Sequence, residues 1–120
     1  MRPVLVVGSD QIRQRFADIL SRTGYDVVEA ESGETAIELT PSLSPEVVLM
    51  AILLPHLNGL ETAARLRTLS KVWPLSIILL GSIPPIGLDH EPLASFVDGY
   101  LSIDASPDEL LECVSKWANN

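Results

Sequence analysis

The feature that most constrains this chain is the alternation of short apolar runs with amphipathic segments. The apolar runs have the length of strands, and we predict strands over residues 4–7, 25–30, 47–51, 76–80 and 97–102. Because these runs are apolar almost throughout, they indicate strands buried on both faces, as in a parallel sheet. Their alternation with helices predicts an α/β fold, a doubly wound five-stranded parallel sheet with helices on both faces.

The first two predicted helices begin at residues that can cap them. Ser9 or Asp10 precedes the first helix, which Gly24 should end. Ser32 precedes the second helix, which Pro41 should end because proline cannot continue a helix. A helix therefore follows each of the first two strands.

The later helices also have start signals. Asn58 is followed three residues later by an acid, as in a capping box, and it begins a third helix that runs to about residue 71. A short fourth helix is expected over residues 89–96. Ser106, three residues before Glu109, begins the fifth helix. On the third helix, the basic residues Arg65, Arg67 and Lys71 are expected to form a solvated face.

Composition limits the class of protein. The chain has 120 residues, 47% hydrophobic and 20% charged, which predicts one domain over residues 1–120. Its 16 acidic and 8 basic residues give a net charge of −8, so direct binding to nucleic acid or to an anionic membrane surface is not expected. Cys113 is the one cysteine, which suits a reducing cytoplasm, and no apolar run approaches the about 20 residues of a membrane span.

The order of the elements and the turn after the third strand, Leu54-Pro55-His56-Leu57-Asn58-Gly59, resemble the receiver domain of bacterial two-component response regulators. The resemblance covers almost the whole chain and implies a flavodoxin-like strand order, 2-1-3-4-5. In this family the third strand ends in a phosphoacceptor aspartate, which a proline and a turn ending in glycine follow. This chain keeps that spacing and has Ala51 at the acceptor position.

The remaining positions of the family's phosphorylation site differ as well. The acidic pair after the first strand aligns with Gly8 and Ser9, the conserved threonine or serine with Gly81, and the conserved lysine with Ile103. Aspartyl phosphorylation needs a carboxylate nucleophile, oxygen ligands for a divalent cation and a positive group. We therefore expect a degenerate receiver, a pseudo-receiver, with no Mg²⁺ site, no cofactor and no enzymatic activity. The small residues leave space that the Ile103 side chain could fill.

These residues favour a phosphorylation-independent signalling module that binds another protein in a two-component type pathway. Two alternatives stay open. The first is a phosphoaccepting regulator that uses Asp10 or Ser9 in place of the usual aspartate. The second is a small-ligand sensor at the crevice that doubly wound sheets offer at their strand ends.

The resemblance also implies a docking surface. The family's aromatic switch residue aligns with Tyr100, and its partner surface consists of the fourth helix, the fifth strand and the fifth helix. After position 71 the only basic residue is Lys116, against seven acids: Asp89, Glu91, Asp98, Asp104, Asp108, Glu109 and Glu112. This charge favours a basic partner and disfavours a charge-paired dimer through that surface.

Some polar residues have simpler interpretations. His56 and His90 are expected to be solvent-facing loop residues, since no nucleophile signature accompanies them. Cys113 is expected to be an inert core thiol. Ile103 precedes Asp104, where the family has a proline after a cis bond, and we expect a trans bond here.

Overall fold

The computed structural model describes residues 2–69, 74–81 and 96–118. In these segments the chain forms five strands, β1 to β5, at Val4–Val7, Val27–Ala30, Val47–Ala51, Ser76–Gly81 and Gly99–Ser102. It also forms four helices, α1 to α4, at Asp10–Arg22, Gly33–Leu43, Gly59–Leu69 and Pro107–Ala118. Apart from Phe96, the predicted helix over residues 89–96 lies outside the described residues, so α4 is the helix predicted as the fifth. None of the described helices is long and apolar enough to cross a membrane.

The strands form one parallel sheet in the order β2-β1-β3-β4-β5, which confirms the predicted doubly wound fold. β1 lies inside the sheet, between β2 and β3, and its residue Val7 lies opposite Ala30 on one side and Met50 on the other. Farther along, Ala51 lies opposite Leu80. The carboxyl ends of the strands therefore meet at one edge of the sheet, which we call the carboxyl edge.

Alternation along the strands creates two cores. Leu5 and Val7 face one side of the sheet, where they pack with α2 and α3, whereas Val4 and Val6 face the other side with α1 and α4. All residues of β1 and β3 are buried. The almost continuous apolar sequence of these strands follows from this burial on both faces.

Two strands are shorter at their start than predicted. β2 begins at Val27 rather than at Tyr25, because the Tyr25 amide donates to the Leu20 carbonyl (3.1 Å) and so still belongs to the end of α1. β5 begins at Gly99 rather than at residue 97. The carboxylate of Asp98, just before it, accepts from the Ile77 amide (2.7 Å).

The prediction that Pro41 ends the second helix is wrong. α2 continues to Leu43, with Pro41 in its last turn. Proline lacks a backbone N–H, so the Ile37 carbonyl loses its helical donor, and the helix has only two more residues after Pro41. The buried Thr40 donates its hydroxyl to the Ala36 carbonyl (2.7 Å), and Ser44 ends the helix in the left-handed region with a φ of 46°.

The predicted capping boxes are present. The Glu61 amide donates to Asn58 Oδ1 (2.9 Å) at the start of α3. At the start of α4, the Glu109 amide donates to Ser106 Oγ (3.1 Å) and the Ser106 amide donates to Glu109 Oε1 (2.9 Å). Local sequence was sufficient for these predictions because each capping interaction spans only three residues.

The predicted solvated face on the third helix is wrong for Arg67. Its guanidinium donates to the carbonyls of Leu75 and Phe96 and forms an ion pair with Asp98. Arg65 is exposed, as expected, and Lys71 lies outside the described residues. Arg67 thus connects the chain entering β4 with the chain entering β5, at the end of the sheet opposite the carboxyl edge.

Candidate functional site

The carboxyl edge brings together the positions aligned with the family's phosphorylation site. A Cβ atom on Gly8 would lie 3.6 Å from the Ala51 Cβ, so the ends of β1 and β3 are in direct contact. The Ile103 amide donates to the Gly81 carbonyl (2.8 Å), which joins the end of β5 to the end of β4. Ala51 and Gly81 thus end β3 and β4, and Gly8 and Ile103 lie just beyond the ends of β1 and β5.

The turn after β3 shows why its glycine is needed. The Gly59 amide donates to the Ile52 carbonyl (2.7 Å), which closes the turn on itself. A Cβ on Gly59 would lie 2.5 Å from the Ala51 carbonyl oxygen and 3.0 Å from the Ile52 Cα. Position 59 therefore needs a glycine for a steric reason, because the start of α3 approaches the end of β3 more closely than a side chain permits.

Apolar side chains surround Gly8. A Cβ placed there would lie 3.4 Å from Ile12 Cγ2 on α1. Ile103 is half-buried and packs on the same core as Ile12, between the sheet and the pair α1 and α4. The sequence indicated only that the Ile103 side chain could fill the space of the site. The structure adds Ile12, whose helical spacing marked it only as a core residue.

Ser9 and Asp10 are both exposed, whereas Ala51 is buried. Ser9 is the N-cap residue of α1, but its side chain makes no capping hydrogen bond. Asp10 is the first residue of the helix rather than its cap, and 78% of its side chain is exposed. Its charge is favourable there because the N-terminus of a helix is the positive end.

Arg13 is a site residue that sequence analysis missed. Its side chain is only 14% exposed, and its Nη2 lies 2.7 Å from Asp10 Oδ1 while its Nε lies 3.1 Å from Glu29 Oε1. Its Nη1 donates to the Gly8 carbonyl (2.9 Å). The hydrogen bond to Asp10 is the main cause of a pKa of the Arg13 guanidinium above its ordinary value. The positive charge beside β1 thus belongs to an arginine that is already paired with carboxylates.

The described residues offer no metal site. No three His, Cys, Asp or Glu side chains among them lie close enough together to hold a metal ion. The four residues at the strand ends have no carboxylate, and hard divalent cations prefer oxygen ligands. A Mg²⁺ ion therefore does not fit the residues present at these positions.

One open recess lies near the site. It has a volume of about 400 Å³ and is lined by Arg13, Glu29, Ala30, Glu31 and Thr35, beside the end of β2. None of the positions aligned with the family's phosphorylation site lines this recess. It does not coincide with the strand-end crevice that the small-ligand hypothesis requires.

The remaining candidates are separate from this site. Tyr100 lies on the edge strand β5, opposite Leu79, and is 39% exposed. His56 is exposed on the turn after β3, as predicted, whereas His90 lies outside the described residues. Cys113 is half-buried rather than fully in the core, and this burial raises the pKa of its thiol. The bond between Ile103 and Asp104 is trans, as predicted.

A second missed residue is Arg15 on α1. Its Nη1 donates to the Ile103 carbonyl (3.0 Å), and its Nη2 donates to the Ala105 carbonyl. No sequence signal identifies this contact, since the partners are 88 and 90 residues apart and both are backbone groups.

Comparison with known proteins agrees with the fold. A family model described as the response regulator receiver domain matches residues 4–115. The nitrate/nitrite response regulator protein NarL of Escherichia coli K12 is 34% identical in an alignment of 122 residues. This alignment covers 97% of this chain and 50% of that protein. The polar-differentiation response regulator DivK of Brucella ovis is 22% identical over 117 residues, covering 97% of this chain and 95% of DivK. The chain thus spans about half the length of NarL and almost all of DivK.

Solved structures are similar as well. The response regulator TrrA of Thermotoga maritima, in complex with Mg²⁺ and BeF, superposes with a TM-score of 0.84 at 30% identity, covering 98% of this chain and 99% of that one. The chemotaxis protein CheY4 of Vibrio cholerae superposes with a TM-score of 0.87 at 25% identity over 98% of both chains. The strand order, the closed turn between Ala51 and Gly59 and the family match agree, and the chain belongs to the response regulator receiver domain family.

Proposed function

We propose that this receiver domain is a phosphorylation-independent signalling module that acts by binding another protein in a two-component type pathway. The observation that carries the proposal is Ala51 at the end of β3, in contact distance of Gly8 at the end of β1. The methyl group of alanine cannot accept a phosphoryl group. Neither residue can supply the carboxylate oxygens that would hold a divalent cation.

Arg13 supports the same proposal. A displaced acceptor would most simply be Asp10, the first acid after β1. Its carboxylate is 2.7 Å from Arg13 Nη2 and mostly exposed. Because its charge is already compensated by an arginine of its own helix, Asp10 has less to gain from binding a metal ion. Ser9 is exposed, and its side chain makes no capping hydrogen bond.

For the partner, we propose the surface of the fourth predicted helix, β5 and α4, with Tyr100 in one fixed position. Asp104 is exposed in the loop before α4, and Asp108 and Glu112 are exposed on α4 itself. Asp98 and Glu109 contribute less to a docking charge, because Asp98 is paired with Arg67 and Glu109 belongs to a capping box. The remaining charge favours a basic partner and opposes both nucleic acid and a charge-paired dimer. A cytoplasmic location fits such a partner.

The decisive test is incubation of the protein with acetyl phosphate and Mg²⁺, followed by intact mass spectrometry. The proposal predicts no added phosphoryl group. A labelled protein would support a displaced acceptor, and Asp10→Asn and Ser9→Ala variants would then identify the residue. TrrA of T. maritima, whose structure contains Mg²⁺ and BeF, is a suitable positive control for the reagent.

Partner binding needs its own test. We expect a partner captured by the immobilised domain to be released by salt, because exposed charges are screened at high ionic strength. The matched control is the triple variant Asp104→Asn, Asp108→Asn, Glu112→Gln, which keeps the size of each side chain. Equal capture by the variant would contradict the proposed acidic surface, although not phosphorylation independence.

A further inference from the structure

We infer that Arg15 is a positioning residue that holds the loop between β5 and α4 in one conformation. This loop, residues 103–106, contains Ile103 and follows the strand that carries Tyr100. The inference rests on the proposed function, since a domain that works without phosphorylation must present its partner with a surface that is already formed.

The contact itself is specific. Arg15 projects from α1, and the fork of its guanidinium donates to two carbonyls, those of Ile103 and Ala105. These carbonyls lie on either side of Asp104, where receivers of the family have a proline. A planar guanidinium can reach two acceptors at once with a fixed spacing, which a lysine ammonium cannot do in the same way.

The Arg15 guanidinium also lies close to an aromatic ring. The Arg15 Cζ lies 5.0 Å from the centroid of the Phe16 ring, and Phe16 is fully buried in the core beneath α1. The distance falls within the range of a cation–π contact. The guanidinium is therefore held between a buried ring on one side and the loop on the other.

Apart from those of Arg15, the hydrogen bonds of this loop within the described part of the chain run to β4, β5 and α4. The Ile103 amide donates to the Gly81 carbonyl, the Ala105 amide donates to the Ser102 carbonyl (3.0 Å), the Asp104 amide donates to Ser102 Oγ (3.0 Å), and Ser106 belongs to the capping box of α4. None of these bonds connects the loop to α1. Arg15 supplies that connection, and the Ala105 side chain is buried beneath the turn.

A consequence follows for binding. A loop that is ordered before the partner arrives loses less conformational entropy on association than a loop that the partner must order. The cross-connection thus makes α1, the loop and the start of α4 one preformed surface. It requires neither a metal ion nor a phosphoryl group.

The test is amide hydrogen exchange by NMR in Arg15→Met, with Arg22→Met as the matched control. Arg22 is also on α1 and forms only an exposed ion pair with Asp18 among the contacts of the described residues, so its loss removes the same charge without touching the loop. We expect the Ile103 and Ala105 amides to exchange about tenfold faster in Arg15→Met and at the unchanged rate in Arg22→Met. Arg15→Lys should give an intermediate rate.

The exchange of core amides in β3 separates a local effect from a global one. Faster exchange at Ile103 and Ala105 with unchanged exchange at Val48 and Leu49 would support the inference. Unchanged loop exchange would overturn it, and so would equal acceleration of loop and core, because Arg15 would then stabilise the fold as a whole. None of these outcomes depends on the acetyl phosphate test, so the inference and the proposed function can fail separately.

Discussion

Nη2 of Arg13 lies 2.7 Å from Oδ1 of Asp10, so the first acid after β1 is paired with an arginine one helical turn away. The same guanidinium donates to the Gly8 carbonyl at 2.9 Å. A side chain that contacts both the end of β1 and the start of α1 stabilises their junction. This junction lies beside Ala51, at the carboxyl end of β3.

Replacing Arg13 tests this junction. We expect Arg13→Met to lower the free energy of unfolding by about 1–2 kcal/mol, because the partly buried Gly8 carbonyl loses its charged donor. Arg22→Met is the control, since the Arg22–Asp18 pair is exposed and should contribute at most about 0.5 kcal/mol. Urea denaturation measures both values. Equal effects of the two substitutions would mean that the bond to Gly8 contributes little.

Restoring carboxylates should restore metal binding. In the double variant Gly8→Asp, Ala51→Asp, two acids meet at the carboxyl edge, and their repulsion should lower the melting temperature in the absence of metal. A Cβ at Gly8 would make ordinary van der Waals contacts with Ile12 and Ala51, so the first atom of an aspartate side chain fits there. Mg²⁺ at ten times its Kd should then stabilise the variant by about 1.4 kcal/mol.

Thermal denaturation with and without Mg²⁺ checks this prediction. The wild-type protein and the neutral variant Gly8→Asn, Ala51→Asn should not respond to the ion. Stabilisation of the wild type by Mg²⁺ would show that an acid outside the aligned positions binds the metal, and would contradict the assignment of these positions as degenerate.

Arg67 should be a large contributor to stability. Arg67→Met removes the ion pair with Asp98 and the hydrogen bonds to Leu75 and Phe96, all of them partly shielded from solvent. We expect a loss of about 2–3 kcal/mol, with Asp98 left without its cation. Arg65→Met on the exposed face of α3 is the matched control and should change the free energy of unfolding by less than about 0.5 kcal/mol.

Gly33 and Thr62 set how closely α2 approaches α3. A Cβ on Gly33 would overlap Thr62 Oγ1, whose hydroxyl donates to the Asn58 carbonyl (2.9 Å). Gly33→Ala should therefore destabilise the fold by about 1–3 kcal/mol through overpacking. Adding Thr62→Ala should recover part of that loss, since it removes the overlapping atom.

The contrasting substitution is Gly59→Ala, whose Cβ would meet the Ala51 carbonyl at 2.5 Å. Because a backbone atom cannot be removed, Thr62→Ala should give Gly59→Ala no recovery. A double-mutant cycle measured by urea denaturation distinguishes the two cases. Additive effects of Gly33→Ala and Thr62→Ala would contradict the proposed overlap.

The cap of α4 should make stability depend on pH. The hydrogen bond from the Ser106 amide lowers the pKa of Glu109 below its ordinary value. A carboxyl whose pKa is lower in the folded state stabilises the fold above its unfolded pKa, about 4.3, and loses that contribution as the pH falls through the folded pKa. Urea denaturation between about pH 7 and pH 3 should therefore show a smaller loss for Glu109→Gln than for the wild type.

Glu112→Gln provides the control, because it removes the same charge from the same helix without touching the cap. The Glu112→Gln variant should still lose, at low pH, the part of the free energy of unfolding that Glu109 contributes in the wild type. If Glu109→Gln and Glu112→Gln responded to pH alike, the dependence would arise from the net charge of α4 and not from the hydrogen bonds to Ser106.

The sequence determined the framework by itself. Local patterns predicted most elements. They include the continuous apolar runs at Val4–Val7 and Val47–Ala51 and the capping boxes at Asn58 and Ser106. Each of these patterns lies within a few residues of sequence, so it can be recognised without knowledge of the tertiary fold. The order of these elements, together with the turn that ends at Gly59, was sufficient to align the chain with its family. The end of α2 was predicted less well. Pro41 removes only one helical hydrogen bond, and the helix continues for two residues beyond it.

Only the tertiary structure decided which arginines act at long range. Arg13 and Arg15 lie on α1 and Arg67 lies on α3, and the sequence favoured a solvated face for Arg67. In the fold they bind the end of β1, the loop before α4, and the starts of β4 and β5. Most of their acceptors are backbone carbonyls, which every residue has, so no side-chain pattern marks them in advance. Which carbonyls lie within reach of a guanidinium is set by the packing of helices on the sheet, and that packing exists only once the whole chain has folded.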